Sequence, residues 1–151
     1  MVHINQAGVG NIETIIPLFA VYRIFYNLES DPAALRDYLY ERLTNHQCVI
    51  FLAYADNIAV GFTQLYLGFS SLSLNNSWAL NDLCVVPEAR GLWVGRKLLD
   101  RAKQIAEATW ACEIMLQTAA DNISAQDLYK KLGYQCDNDF YIYTLELADA
   151  S

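Results

Sequence analysis

Between Pro87 and Leu99 the chain reads PEARGLWVGRKLL, with Gly91 and Gly95 four residues apart and Arg90 and Arg96 beside them. An apolar, strand-like run precedes this segment and an amphipathic, helix-like run follows it. The first amides of a helix have no helical acceptors, and the helix dipole places about half a positive charge at that end. A phosphate docked there gains from both, provided that the backbone can come close. Gly91 and Gly95 permit that approach, and the Arg90 guanidinium adds a fork of donors. The spacing matches neither the GxxxxGK[ST] of a P-loop nor the GxGxxG of a dinucleotide fold. The residues alone leave two readings: a phosphate cradle, or glycines that close a turn and pack helix on strand.

Other residues can also carry chemistry. Tyr22, Arg23, Phe25, Tyr26 and Glu29 cluster at the end of a helical stretch, a mixture able to hold a cationic amine by carboxylate and aromatic-face attraction. The same aromatic spacing is what a core-facing helix shows, and Arg23 disfavours a polyamine while favouring an acceptor that also carries a carboxylate. Asn81 and Asp82 adjoin on a strand, where neighbours point to opposite faces, so only one of them is expected to face a given cleft. Ala125, Leu128, Tyr129 and Leu132 form an apolar helical stripe, and on spacing alone Tyr129 is a core residue. His3 and His46 stand isolated.

The elements that must position these residues follow from periodicity and capping. A short strand near Val2–Asn5 precedes a helix from Asn11 to about Asn27, which Pro17 kinks or starts late. Asp31-Pro32 is an N-cap with proline at the first helical position and opens a helix to about Thr44. CVIFLAYA and IAVGFTQLYL flank Asp56-Asn57, hairpin chemistry between two β-rich runs. A polar loop, SSLSLNNS, leads to the strand WALNDLCVV. A helix from about Leu92 to Ala111, the strand EIMLQTA and a short helix from an N-cap at Ser124 to Leu132 come next. Gly133 is its C-cap. Strands near Tyr134–Cys136 and Phe140–Leu147 are expected to close the chain. The order β-α-α-β-β-β-α-β-α-β-β predicts an α/β domain with a mixed sheet flanked by helices.

Composition sets the frame. The 151 residues suit one domain, residues 1–151, able to bury about 68–70% of the surface of the unfolded chain. No apolar run approaches the ~18–20 residues of a membrane span. The start MVHINQAGVG lacks a secretory pattern, so a cytoplasmic protein is expected. Cys48, Cys84, Cys112 and Cys136 stand singly, with no metal-ligand spacing, and read as reduced, mostly buried thiols. The net charge of −7 argues against nucleic acid as a partner. Its distribution is uneven: residues 90–131 hold seven basic and five acidic residues, net +2, against three basic and twelve acidic elsewhere, net −9. The basic segment suits an anionic ligand and the remainder a cationic one.

The segment LNDLCVVPEARGLWVGRKLL resembles the acyl-CoA-binding signature of the GNAT superfamily of N-acetyltransferases: a strand, then Arg or Gln, x-x-Gly-x-Gly/Ala, opening a helix. Arg90 takes the first position and Gly95 the last, while Trp93 stands where the middle glycine usually lies. Trp93 can still offer its backbone N–H but lacks glycine's freedom at positive φ, so the loop is expected to be helical there already. Its indole is left to pack over the cofactor or against a neighbouring helix. NISAQDLYKKLGY resembles the family's later motif, with a Tyr seven positions after an Asn, then basic residues and Gly-aromatic. The order of elements also fits over nearly the whole chain.

The resemblance implies acetyl-CoA held by main-chain groups of Leu83, Cys84 and Val85 and by the loop Arg90, Gly91, Leu92, Trp93, Val94, Gly95 and Arg96, with Asn122 on the cofactor side. It implies Tyr129 as general acid for the leaving thiolate, since an ordinary tyrosine stays protonated at neutral pH. Many relatives carry a glutamate on the cofactor-binding strand, often followed by Asp. Here the pair is Asn81-Asp82, which leaves Asp82 as the base, acting through water, or leaves deprotonation to solvent. The acceptor site, with Tyr22, Phe25, Tyr26, Glu29 and Asn81, is expected between the first helices and the loop near Phe69–Ser73. The expected activity is acetyl transfer to a primary amine of a small molecule, in a chain that forms a homodimer. A non-catalytic acyl-CoA sensor and a plain interaction domain are the alternatives.

Overall fold

The computed structural model describes residues 1–148. The chain forms two compact units, Met1–Gln117 and Thr118–Ser151. In the first, β1 (Val2–Gln6), β2 (Cys48–Ala55), β3 (Ile58–Ser70), β4 (Asn75–Val85) and β5 (Ile114–Leu116) make one mixed sheet in the order β1-β2-β3-β4-β5. The first four strands are antiparallel, and β5 runs parallel to β4. Helices α1 (Ile12–Phe25) and α2 (Pro32–Thr44) connect β1 to β2, and α3 (Val94–Ala108) crosses from β4 to β5.

Local chemistry explains the connections. The Asp31 carboxylate accepts the Ala33 N–H at 3.1 Å, and Pro32 is the first residue of α2. Asp56 and Asn57 both take positive φ, the geometry of a two-residue hairpin turn whose twist matches the strands. Pro17 lies inside α1, so the late start does not occur and the helix runs through it. β4 begins at Asn75, which shortens the expected loop.

Helices cover both sheet faces. Ile12, Ile15, Ile16 and Phe19 of α1 and Leu35 and Leu39 of α2 pack with Ile50, Leu52, Phe62 and Cys84. The α3 helix buries Val94, Leu98, Leu99, Ala102 and Ala106, and its Arg101 lies over the Phe51 ring at 4.8 Å. Phe51 alternates with Ile50 and Leu52, so β2 is buried on both sides.

In the second unit, α4 (Ile123–Lys131) is capped by Asn122, not Ser124: the Asn122 Oδ1 accepts the Ala125 N–H at 3.3 Å. Gly133, at φ 94, ends the helix as expected. The two closing strands expected at Tyr134–Cys136 and Phe140–Leu147 are absent among the described residues. Their apolar alternation supplies a surface, but β propensity acts through neighbours, and two strands alone are marginal in water. Between them the chain bends at Asp139, whose N–H donates to the Asp137 carboxylate at 2.8 Å. Of the four thiols, Cys48 and Cys84 are buried, while Cys112 and Cys136 are exposed rather than buried.

Candidate active site

The sheet opens between β4 and β5. β4 and β5 pair only through Trp78–Ile114, Ala79–Met115 and Leu80–Leu116. β4 then continues to Val85, paired with β3 alone among the described residues. Along Asn81–Val85, alternate amides and carbonyls on the edge away from β3 have no ladder partner among the described residues, and such an edge accepts an extended chain. Gly61 of β3 brings α3 against this stretch. A Cβ on Gly61 would lie 2.7 Å from the Cys84 carbonyl oxygen and 3.3 Å from Val94 Cγ1. Gly61→Ala is therefore expected to cost about 1–3 kcal/mol, the range for overpacking, read as a lowered midpoint in denaturant unfolding.

The glycine loop lies at the start of α3. A single 3₁₀ turn, Pro87–Ala89, precedes extended Arg90, and Gly91 takes φ 85. Trp93 takes φ 63 and ψ 19 as the N-cap of α3. The expectation that this residue is already helical is overturned: the chain must turn through the left-handed region to enter α3, and Trp93 does so although it is not glycine. Its indole is 68% exposed, so it does not plug the loop. The amides of Val94, Gly95 and Arg96 form the helix's open first turn. Arg90 is near enough to pull the Cys84 thiol down, although burial still pushes it up to about 11. Open amides, an unfilled approach at Gly91 and the free β4 edge fit a ligand with a pyrophosphate and an extended amide-bearing arm. Trp93→Gly relieves the left-handed conformation and is expected to raise stability by about 1 kcal/mol, seen as a higher melting temperature.

A bulge sets the chemistry on the other side of β4. Gln64 pairs with Asp82 and Leu65 with Leu80, so Asn81 is an extra residue. Strict alternation fails here, and Asn81 and Asp82 line the same pocket of about 520 Å³, contrary to expectation. Helix α1 contributes Phe19, Tyr22 and Arg23 and its C-cap Tyr26, while Tyr38 of α2 and Tyr66 of β3 complete the aromatic wall.

Asp82 is 3% exposed. Gln64 Nε2 donates to its Oδ2 at 2.7 Å and Asn81 Nδ2 to its Oδ1 at 3.1 Å. Burial raises the Asp82 pKa above its ordinary value, while the hydrogen bonds of Gln64 and Asn81 and the nearby Tyr22 hydroxyl oppose the rise. The Tyr22 hydroxyl donates to the Asn81 carbonyl at 3.3 Å. The Tyr38 and Tyr66 hydroxyls are 2.6 Å apart. Burial raises Tyr22 and Tyr66 far above the ordinary tyrosine value, so both remain protonated. The pocket therefore holds a single carboxylate with an upward-shifted pKa and neutral hydroxyls, a set suited to accepting a proton.

Of the residues expected in the acceptor site, Tyr22, Tyr26 and Asn81 line this pocket with Asp82. Phe25 and Glu29 and the Phe69–Ser73 loop lie outside its lining. Gln64, Tyr38 and Tyr66 were not anticipated, although Thr63-Gln64 within the apolar run GFTQLYL is a readable anomaly. In the second unit Tyr129 is half-buried on α4, its ring 5.8 Å from that of Tyr134.

The profile of the Acetyltransferase (GNAT) family matches residues 15–134. A Bacillus subtilis (strain 168) protein named as an uncharacterized N-acetyltransferase, YhfO, is 41% identical over 96% of this chain and 97% of its own length. A probable acetyltransferase of Haemophilus influenzae is 30% identical over 79% of this chain and 82% of its own. The crystal structure of a probable acetyltransferase, 42% identical, superposes with a TM-score of 0.91 and covers 97% of this chain and 99% of the other.

Proposed function

This chain belongs to the Acetyltransferase (GNAT) family, and on that premise we propose that residues 1–151 act as one catalytic domain moving an acetyl group to a primary amine of a small molecule. When bound, acetyl-CoA, the acetyl donor of this family, supplies that group as a thioester. The observation that carries the reading is the splay of β4 from β5 beside the open start of α3, with Asp82 turned into a pocket on the same strand.

Main-chain groups of Leu83, Cys84 and Val85 hold the pantetheine arm. Arg90 and the loop between Gly91 and Arg96, through the open amides of Val94, Gly95 and Arg96, would hold the pyrophosphate, with Asn122 on the cofactor side; the Leu92 amide is already bonded to the Ala89 carbonyl. A β4 amide polarises the acetyl carbonyl. Asp82 would accept the proton that the amine must lose, and Tyr129, at the family's tyrosine position, would supply the proton for the coenzyme's sulfur. No described helix is long and apolar enough to cross a membrane. Free thiols at Cys48, Cys84, Cys112 and Cys136 support a cytoplasmic location, and the exposed Ile24 and Phe25 at the end of α1 support a homodimer.

The test is thiol release from acetyl-CoA by the purified protein across a panel of primary amines, with the N-acetylated product identified by mass. Amine-dependent release with matching product is expected. Acetyl-CoA binding without release for any amine contradicts the catalytic reading and leaves an acyl-CoA sensor.

A further inference from the structure

The pocket beside Asp82 holds a cation that proton transfer does not use. Arg23 lies in the last turn of α1, next to Tyr22. Its Nη2 donates to the Glu29 carbonyl at 3.1 Å, which anchors the guanidinium just beyond the helix end. Its Nε is buried and has no hydrogen-bond partner, and no carboxylate pairs with Arg23 among the described residues. A buried N–H of a charged group without an acceptor is costly, so its persistence at a pocket wall points to an acceptor brought by a ligand. Helix anchoring accounts for the Nη2 bond but not for the orphaned Nε.

The pocket thus carries one unpaired cation, Arg23, and one carboxylate, Asp82, with the Tyr22 and Tyr26 rings 5.2 Å apart among its walls. We propose that Arg23 determines specificity: the acceptor is an amine that also carries a carboxylate, an amino acid or a close analogue. The Nε–H and the second N–H of Nη2 present the fork that a carboxylate takes in bidentate fashion. The amine then turns toward Asp82, and the aromatic rings flank the body of the substrate. A polyamine places an unneutralised second cation against Arg23 and is rejected. This inference rests on the acetyl-transfer reading and gives that reading a substrate class.

The experiment compares matched amines with and without the carboxylate: lysine against cadaverine, and phenylalanine against phenethylamine. The expected result is a preference for the carboxylate-bearing member of at least one pair by about tenfold or more in kcat/KM. In Arg23→Gln the preference falls to near one, whereas Arg23→Lys, which keeps the charge and loses the fork, retains part of it. A merely structural role for Arg23 lowers both members of a pair together and leaves their ratio intact, which overturns the inference. Equal or reversed preference in the wild-type protein also overturns it while leaving acetyl transfer standing. No transfer to any amine by protein that binds acetyl-CoA overturns both.

Discussion

Replacing Tyr129 with phenylalanine is expected to leave acetyl-CoA affinity unchanged and to lower kcat by about 10²–10⁴-fold, the contribution of a positioned general acid. Phenylalanine keeps the apolar stripe of Ala125, Leu128 and Leu132 and the ring that faces Tyr134 at 5.8 Å, so helix α4 keeps its packing. Only the hydroxyl is lost. A residue held for its ring alone tolerates the change, and a residue held for its proton does not. Titration calorimetry with acetyl-CoA and steady-state turnover on the same preparation separate the two. Unchanged turnover removes Tyr129 from the chemistry, and loss of cofactor binding along with turnover assigns it to binding instead.

Asp82→Asn is expected to have the second large effect. The asparagine oxygen can still accept from Asn81, and its amide can donate to the unpartnered Gln64 Oε1 once that side chain turns, but it cannot take a proton, so kcat/KM falls by about 10²-fold or more. The wild-type pH profile should rise along a limb that lies above the ordinary carboxylate range, because burial raises the Asp82 pKa and the active form is the ionised one. The variant lacks that limb. Stability moves the other way. A carboxyl whose folded pKa exceeds its unfolded value contributes stability below the unfolded value and loses it as pH rises through the folded one. Asp82→Asn should therefore unfold at or above the wild-type temperature at neutral pH, with the difference shrinking on acidification toward pH ~4. A wild-type limb at the ordinary carboxylate position, or an unchanged profile in the variant, contradicts the assignment.

What was legible in the sequence is what neighbours along the chain decide. Asp31-Pro32 specifies the start of α2 because the cap and the proline act within one turn. Asp56-Asn57 specifies the β2–β3 hairpin through its own backbone preference. The glycine loop is placed correctly by a strand, two glycines and an amphipathic helix.

The failures are long-range. Period-two alternation separates Asn81 from Asp82, but the bulge arises from pairing with Gln64 and Leu65 across the sheet, and no pattern within β4 announces it. Trp93 enters the left-handed region because the chain must join Gly91 to a helix whose position is set by Val94 against Gly61. The aromatic wall needs Tyr38 of α2 and Tyr66 of β3, far apart in sequence yet with hydroxyls 2.6 Å apart. The closing alternation from Phe140 to Leu147 looks like a strand by composition, but a strand exists only by virtue of a partner.

Titration of the purified protein with acetyl-CoA, with NADH as a control anion that shares the adenosine pyrophosphate, tests most directly whether the β4–α3 opening is a coenzyme A cradle. The expected result is saturable binding of acetyl-CoA, one per chain, with a Kd on the order of micromolar, and no saturable binding of NADH. Absence of acetyl-CoA binding, or equal binding of both, contradicts the account.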